Sequence, residues 1–168
     1  GVFALSFDIT AQKQAEISAQ TAERRLQLIA DNIPAAVSII DPEHVYRFNN
    51  AAYERAIGKS LAEITGHPVR EILGEQVYAQ VLPHLDRALA GHGTQFELRQ
   101  HRADGPRFLR GSYQPKCADD GTVVGVFGMI LDQTELKQAE DQLRVMAEFD
   151  ALTRLANRYR LYDTIAGS

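Results

Sequence analysis

The sequence predicts an α+β fold: a five-stranded antiparallel sheet with short helices on one face, flanked by N- and C-terminal linker helices. Two observations point there. Apolar, β-branched runs bounded by turn residues occur as a pair early in the chain and as a trio later. The residues between pair and trio carry helical rather than alternating spacing. Strands in consecutive runs joined by short turns pair antiparallel, and helices gathered between them cover one face. At 168 residues, 45% hydrophobic and 24% charged, the chain is long enough and apolar enough to bury such a core.

The chain opens GVFALSFDITAQKQAE, and the segment from Gly125 reads GVFGMILDQTELKQAE. At an offset of 124, Val2, Phe3, Asp8, Thr10, Lys13, Gln14, Ala15 and Glu16 recur as Val126, Phe127, Asp132, Thr134, Lys137, Gln138, Ala139 and Glu140. Each copy is an apolar run, then Asp-x-Thr, then a charged stretch with helical spacing. The spacing is the size of a domain, so the repeat predicts one strand-to-helix exit made twice. Residues 1–10 are then the tail of an upstream domain, and 125–134 end a complete one. The run Thr122–Leu131 is apolar on both alternating faces, which predicts cover on both sides of that strand. Asp132 and Thr134 stand where the helix begins, and either could cap its free N–H groups.

Ala15, Ala19, Ala22, Leu26, Ile29 and Ile33 step by fours and threes along the first linker helix. They make either a coiled-coil seam or an apolar face lying on the domain, with Leu26 to Ile33 over the second face of the sheet. Ala36–Ile40 and Val45–Phe48 read as a hairpin around the turn Asp41-Pro-Glu-His44. Asn50–Ile57 is a short helix stopped by Gly58, and Leu61–Thr65 another, capped by Ser60. A longer amphipathic helix spans Glu75–Leu89, with Val77, Val81, Leu85 and Leu89 four apart. Strands follow at Gln95–Arg102, Arg107–Gln114 and Thr122–Leu131, joined by turns at Ala103–Pro106 and Ala118–Gly121. In the last helix Leu136, Ala139, Leu143 and Met146 form a second seam, which predicts a homodimer.

Charge and composition narrow the function. Net charge is −4 with no Lys/Arg run, which argues against a nucleic-acid surface. No apolar run reaches the roughly 20 residues that span a bilayer, so no membrane contact is expected within these residues. The lone Cys117 rules out an internal disulfide and fits a reducing, cytoplasmic compartment. The chain starts in mid-pattern without methionine, as a piece of a longer protein would; that parent could be membrane-anchored elsewhere.

The ordered set FNNAAYERAIG, ALAGHGTQFELR, RADGPRFLR, ADDGTVVGV and the DxT exit resembles a PAS sensor domain with its PAC segment, over about residues 22–140. Gln133 departs from the usual Ile or Val of the exit triplet. Gly111 thins its strand, which would enlarge the interior. The segment EFDALTRLANRYRLYD resembles the opening helix of a GGDEF domain, matching at Asp150, Leu152, Thr153, Leu155, Asn157 and Arg158, with Arg154 where glycine is usual. The two resemblances imply four divisions: 1–21, an upstream tail and linker helix; 22–134, the PAS sensor; 135–149, a coiled-coil signalling helix; 150–168, the start of GGDEF. They imply a parent that makes cyclic di-GMP from GTP with Mg, and a catalytic site outside these residues. The expected role is a signalling module that transmits a small-molecule or conformational signal. Alternatives are a ligandless dimerisation scaffold, a haem or flavin redox or gas sensor, and a regulator of a GGDEF-EAL phosphodiesterase.

Candidate ligand-pocket residues are Asn50, Tyr53, Ile72, Tyr78, Phe96, Arg110, Tyr113, Phe127 and Met129. Most would serve equally as core. Signal transmission falls to Asp132, Thr134, Leu136, Leu143 and Met146. His84 could present an axial haem ligand or simply pack at the edge of its helix. Cys117 sits by a turn, outside any photoreactive flavin motif, and Asp119 and Asp120 belong to that turn. No metal spacing, phosphate loop or nucleophile motif occurs, so no cofactor is required by the sequence.

Overall fold

The computed structural model describes the backbone of residues 2–166 and the side chains of residues 10–156 and 158. Its elements are α1 (Val2–Asn32), β1 (Ala36–Ile40), β2 (Tyr46–Asn49), α2 (Ala51–Ile57), α3 (Leu61–Ile64), α4 (Val69–Leu73), α5 (Glu75–Leu89), β3 (Thr94–Arg102), β4 (Gly105–Cys117), β5 (Val123–Asp132) and α6 (Thr134–Ala166). The strands form one sheet in the order β2-β1-β5-β4-β3, with β1 antiparallel to both β2 and β5. The α+β class and the five strands are as expected. The one-turn helix α4, set between Pro68 and Gly74, was not foreseen.

The β1–β2 turn is built by Asp41. Its Oδ1 accepts the amides of Glu43 (3.0 Å) and Val45 (2.9 Å), and its Oδ2 meets Arg47 Nε at 2.5 Å. His44 takes the left-handed conformation that closes the turn, with φ 64°. Burial opposes ionisation of Asp41, but these amides and the Arg47 cation hold its pKa below the ordinary carboxylate value.

The chain divides into two compact units, residues 1–97 with 110–131 and residues 98–109 with 132–168. In the first, α5 buries Tyr78, Val81, Leu85 and Ala88, and the fully buried set includes Tyr46, Ile40, Ile64 and Val69. The expected stripe of Val77, Val81, Leu85 and Leu89 is therefore adjusted. A strict step of four drifts off a 3.6-residue turn, and the buried line alternates three and four.

Three expectations change. First, residues 2–10 are helical rather than the end of a strand. A strand must pair with a neighbour, whereas a helix satisfies its own backbone. The sheet takes its strands from within residues 36–132, so the first copy of the repeat is not a strand of it. Side chains of Val2, Phe3 and Asp8 lie outside the described residues. Second, β5 is covered on one face only: Val126 is buried, while Phe127, Met129 and Leu131 on the other face are exposed. Leu26 and Ile29 of α1 are exposed too, so α1 does not cover that face. Third, Gly111 does not open a cavity. The Phe96 ring fills the place a Cβ would take there. The expected divisions at 21/22 and 149/150 fall inside the continuous helices α1 and α6.

Candidate functional site

The second unit holds the outer ends of β3 and β4 together with α6, and the exit joint lies wholly within it. Asp132 ends β5 and α6 begins at Thr134. Asp132 Oδ1 accepts the Thr134 amide at 2.9 Å and the Thr134 hydroxyl at 2.5 Å. A carboxylate here satisfies a free helix N–H and sits at the positive end of the helix dipole. Thr134 does not cap. Its hydroxyl oxygen accepts the Phe108 amide of β4 at 3.0 Å, and it is buried. Gln133 N–H returns to Phe108 C=O at 2.8 Å, so Phe108 gives both backbone groups to the joint. Arg107, beside it, lies between Asp132 Oδ2 (3.4 Å) and Asp104 Oδ2 (2.5 Å). Asp104, Pro106, Arg107, Asp132, Thr134, Glu135 and Gln138 line a polar cleft of about 460 Å³.

Burial raises the pKa of Asp132, but the Thr134 hydroxyl, the Thr134 amide and Arg107 together bring it below the ordinary carboxylate value. A carboxylate lowered in this way contributes stability that is present above its unfolded pKa, about 4. That stability is lost as pH falls through the folded value. Amide exchange at Thr134, corrected for its intrinsic rate, should therefore accelerate below about pH 4, while Val126 stays protected. Protection at Thr134 that is unchanged by acid would contradict the joint.

Leu136, Leu143 and Met146 are exposed on α6, as are Phe149, Leu152 and Leu155. Of the residues that carry the GGDEF resemblance, Asp150, Leu152, Thr153, Leu155 and Arg158 lie exposed on the same helix, and the Asn157 side chain lies outside the described residues. Arg154 reaches Asp150 at 3.6 Å, one turn away.

The pocket candidates separate. Asn50, Tyr53, Ile72, Tyr78, Phe96 and Tyr113 are buried. Phe127 and Met129, each 44% exposed, lie on the opposite face of β5 from buried Val126 and are not pocket residues. Strand alternation imposes this, because both are an odd number of positions from Val126. Arg110 is exposed and bonded to Gln95 at 2.9 Å, again outside the core. Tyr53 is paired with Tyr46, hydroxyl to hydroxyl, at 2.5 Å. Tyr78 donates to or accepts from His44 Nδ1 at 2.7 Å. Asn50 makes four side-chain bonds to backbone groups. The side-chain polar groups foreseen for a ligand are largely spent inside the protein.

His84 lies flat on the Phe96 ring at 4.5 Å, with Nδ1 3.0 Å from Thr94 Oγ1, which fits packing of α5 on β3. Cys117 is exposed at the end of β4. Among the described residues no group of three or more His, Cys, Asp or Glu is placed to hold a metal. No helix among them is long and apolar enough to cross a membrane.

In a comparison with known families, the PAS fold matches residues 30–138. The chain belongs to the PAS fold family. This PAS chain is 28% identical over 159 residues to the probable diguanylate cyclase DgcE of Escherichia coli (strain K12), a match covering 92% of the chain and 14% of that protein. It is 26% identical over 140 residues to an uncharacterized signaling protein of Caulobacter vibrioides, covering 75% of the chain and 17% of that protein. The chain thus spans between 14% and 21% of the length of the curated relatives it matches. The PAS domain of Bordetella pertussis BvgS superposes with a TM-score of 0.58 at 16% identity, covering 76% of this chain and 98% of that one. An RNA-binding light-oxygen-voltage receptor gives a TM-score of 0.56 at 23% identity, covering 77% and 37%. At these identities the likeness is one of fold. Residues 30–138 of the chain are therefore a PAS domain.

Sequence reasoning found Asp132 and Thr134 but missed Phe108, Arg107 and Asp104. Their place at the joint depends on strand register, seen in the bond from Gln133 N–H to Phe108 C=O, which single-residue patterns do not carry.

Proposed function

We propose that this PAS domain regulates a multidomain signalling protein that makes cyclic di-GMP, and that it passes a conformational signal through α6 within a homodimer. The observation that carries this reading is the joint at Phe108, Asp132 and Thr134. It fixes the first turn of a continuous 33-residue helix near the start of strand β4. A shift in that strand must then move the helix, because hydrogen-bonded elements move together rather than stretch. The exposed Leu136, Leu143 and Met146 supply a seam for the partner helix. The similarity to a probable diguanylate cyclase and the GGDEF-like segment at 148–163 support cyclic di-GMP synthesis as the output. GTP and Mg would be bound by that output domain.

A second reading concerns the input. The spent side chains of Asn50, Tyr53 and Tyr78 favour a ligandless scaffold over a domain that reads a small molecule. Native mass spectrometry of the full-length protein separates the two, since a bound small molecule adds mass.

Asp132→Ala in the full-length protein tests the output. The lost cap should cost about 1 kcal/mol of stability. Cyclic di-GMP formation from GTP should change by roughly 5-fold or more, the lower end of usual coupling between sites. A folded variant with unchanged basal and stimulated synthesis would count against the joint.

A further inference from the structure

A second joint lies at the other end of the domain, wholly within the first compact unit. Asn50 is fully buried and uses every hydrogen-bonding position of its side chain. Nδ2 donates to the carbonyls of Ala30 (2.7 Å) and Ala35 (2.9 Å). Oδ1 accepts the amides of Val37 (2.9 Å) and Tyr53 (3.1 Å). One amide therefore ties the last turn of α1, the start of β1 and the first turn of α2. Asp31 adds a second tie: its Oδ1 accepts the amide of Ala51, the first residue of α2, at 2.7 Å and the Gln27 side chain at 3.0 Å.

Little else holds α1. Among its described residues only Ala30 is buried, and Leu26, Leu28 and Ile29 are exposed. The helix ends at Asn32, and Pro34 follows, unable to continue it. A helix of 31 residues is thus fastened to the domain by polar bonds in its final turn.

We propose that Asn50 and Asp31 form an entry joint, which delivers rotation or displacement of α1 to β1 and α2 at the head of the domain. Asn50 then serves neither ligand binding nor general packing. It is the residue through which a signal arriving along α1 enters the fold. This is independent of the exit joint and of what the output domain makes.

The test uses the 168-residue chain with Cys117→Ser and nitroxide labels at positions 18 and 59, both exposed. Labelled chain is diluted in unlabelled chain so that only distances within one chain are read. The parent should give one narrow distance between α1 and the domain. Asp31→Ala, at a half-buried position, should lose that single distance and broaden it, with near-ultraviolet circular dichroism unchanged. Asn50→Asp keeps the acceptor oxygen, removes both donors and should broaden it further. Glu23→Ala, on α1 but away from the joint, should leave it narrow. If Asn50→Asp does not fold, Asp31→Ala decides alone. A distance as narrow as the parent's in Asp31→Ala, or equal broadening in Glu23→Ala, overturns the entry joint.

Discussion

Tyr46→Ala is expected to leave the domain close to its unfolding limit, and Tyr46→Phe to leave it folded but weakened. Tyr46 is 0% exposed. Its ring meets Tyr53 edge-on at 5.4 Å, and its backbone bonds His67 C=O and Gly66 N–H, tying β2 to the segment after α3. Truncating a buried aromatic ring costs about 3–5 kcal/mol. A whole domain is worth only about 5–15 kcal/mol. The phenylalanine variant keeps the ring but strands the buried Tyr53 hydroxyl, which costs about 1–3 kcal/mol. Urea unfolding with a constant m-value should rank the parent first, then Phe, then Ala. Equal, small losses for both would show that neither the ring nor the hydroxyl pair carries the load argued here. The same pair sets an alkaline limit. Burial pushes Tyr46 well above the ordinary phenol value and Tyr53 up to about 12. A raised pKa contributes stability below the unfolded value, about 10. That stability is lost as pH rises, because the unfolded chain releases protons the fold retains. The urea midpoint should therefore fall above about pH 10.

How much of this was legible beforehand depends on the range of each interaction. β1, β2 and the three later strands could be read because β-branched runs and their turns are local, as Asp41-Pro-Glu-His44 and Ala118-Asp-Asp-Gly121 illustrate. The Asp132–Thr134 pair was legible for the same reason, being two residues apart. The roles of Phe108 and Arg107 depend on strand register, which single-residue patterns do not carry. Asn50 was read as a ligand group, yet its partners Ala30 and Ala35 are backbone carbonyls, which leave no mark in a sequence. The inward and outward faces of β5 were also hidden. Glycines at 125 and 128 and apolar residues on both faces erase the alternation that would have turned Phe127 and Met129 outward. Gly111 misled in a similar way. Its missing side chain suggested space, but the space belongs to Phe96 on the preceding strand β3.

Inserting seven residues after Gln142 should preserve signal-dependent output in the full-length protein, and inserting two should abolish or lock it. α6 runs unbroken from Thr134 to Ala166, with no glycine or proline inside it. It begins at the clamp on Phe108 and carries exposed Leu136, Leu143 and Met146 along its length. An α-helix advances about 100° per residue. Seven residues return the helix to within about 20° of its starting phase, so the stripes on both sides of the insertion still face one way. Two residues turn everything after Gln142 by about 200° relative to Leu136. In a dimer that rotation takes Leu143 and Met146 out of the seam, or drags the paired output domains out of register. Both variants lengthen the helix, so a response that depends on length alone would fail with seven residues before it failed with two. Under the proposed function, the readout is cyclic di-GMP formed with and without the physiological stimulus. Loss with two residues and survival with seven identifies rotation along a stiff helix as the signal. Equal behaviour of the two insertions would mean that residues 135–149 act as a flexible tether, and the clamp at Asp132 and Thr134 would then hold the helix without transmitting anything through it.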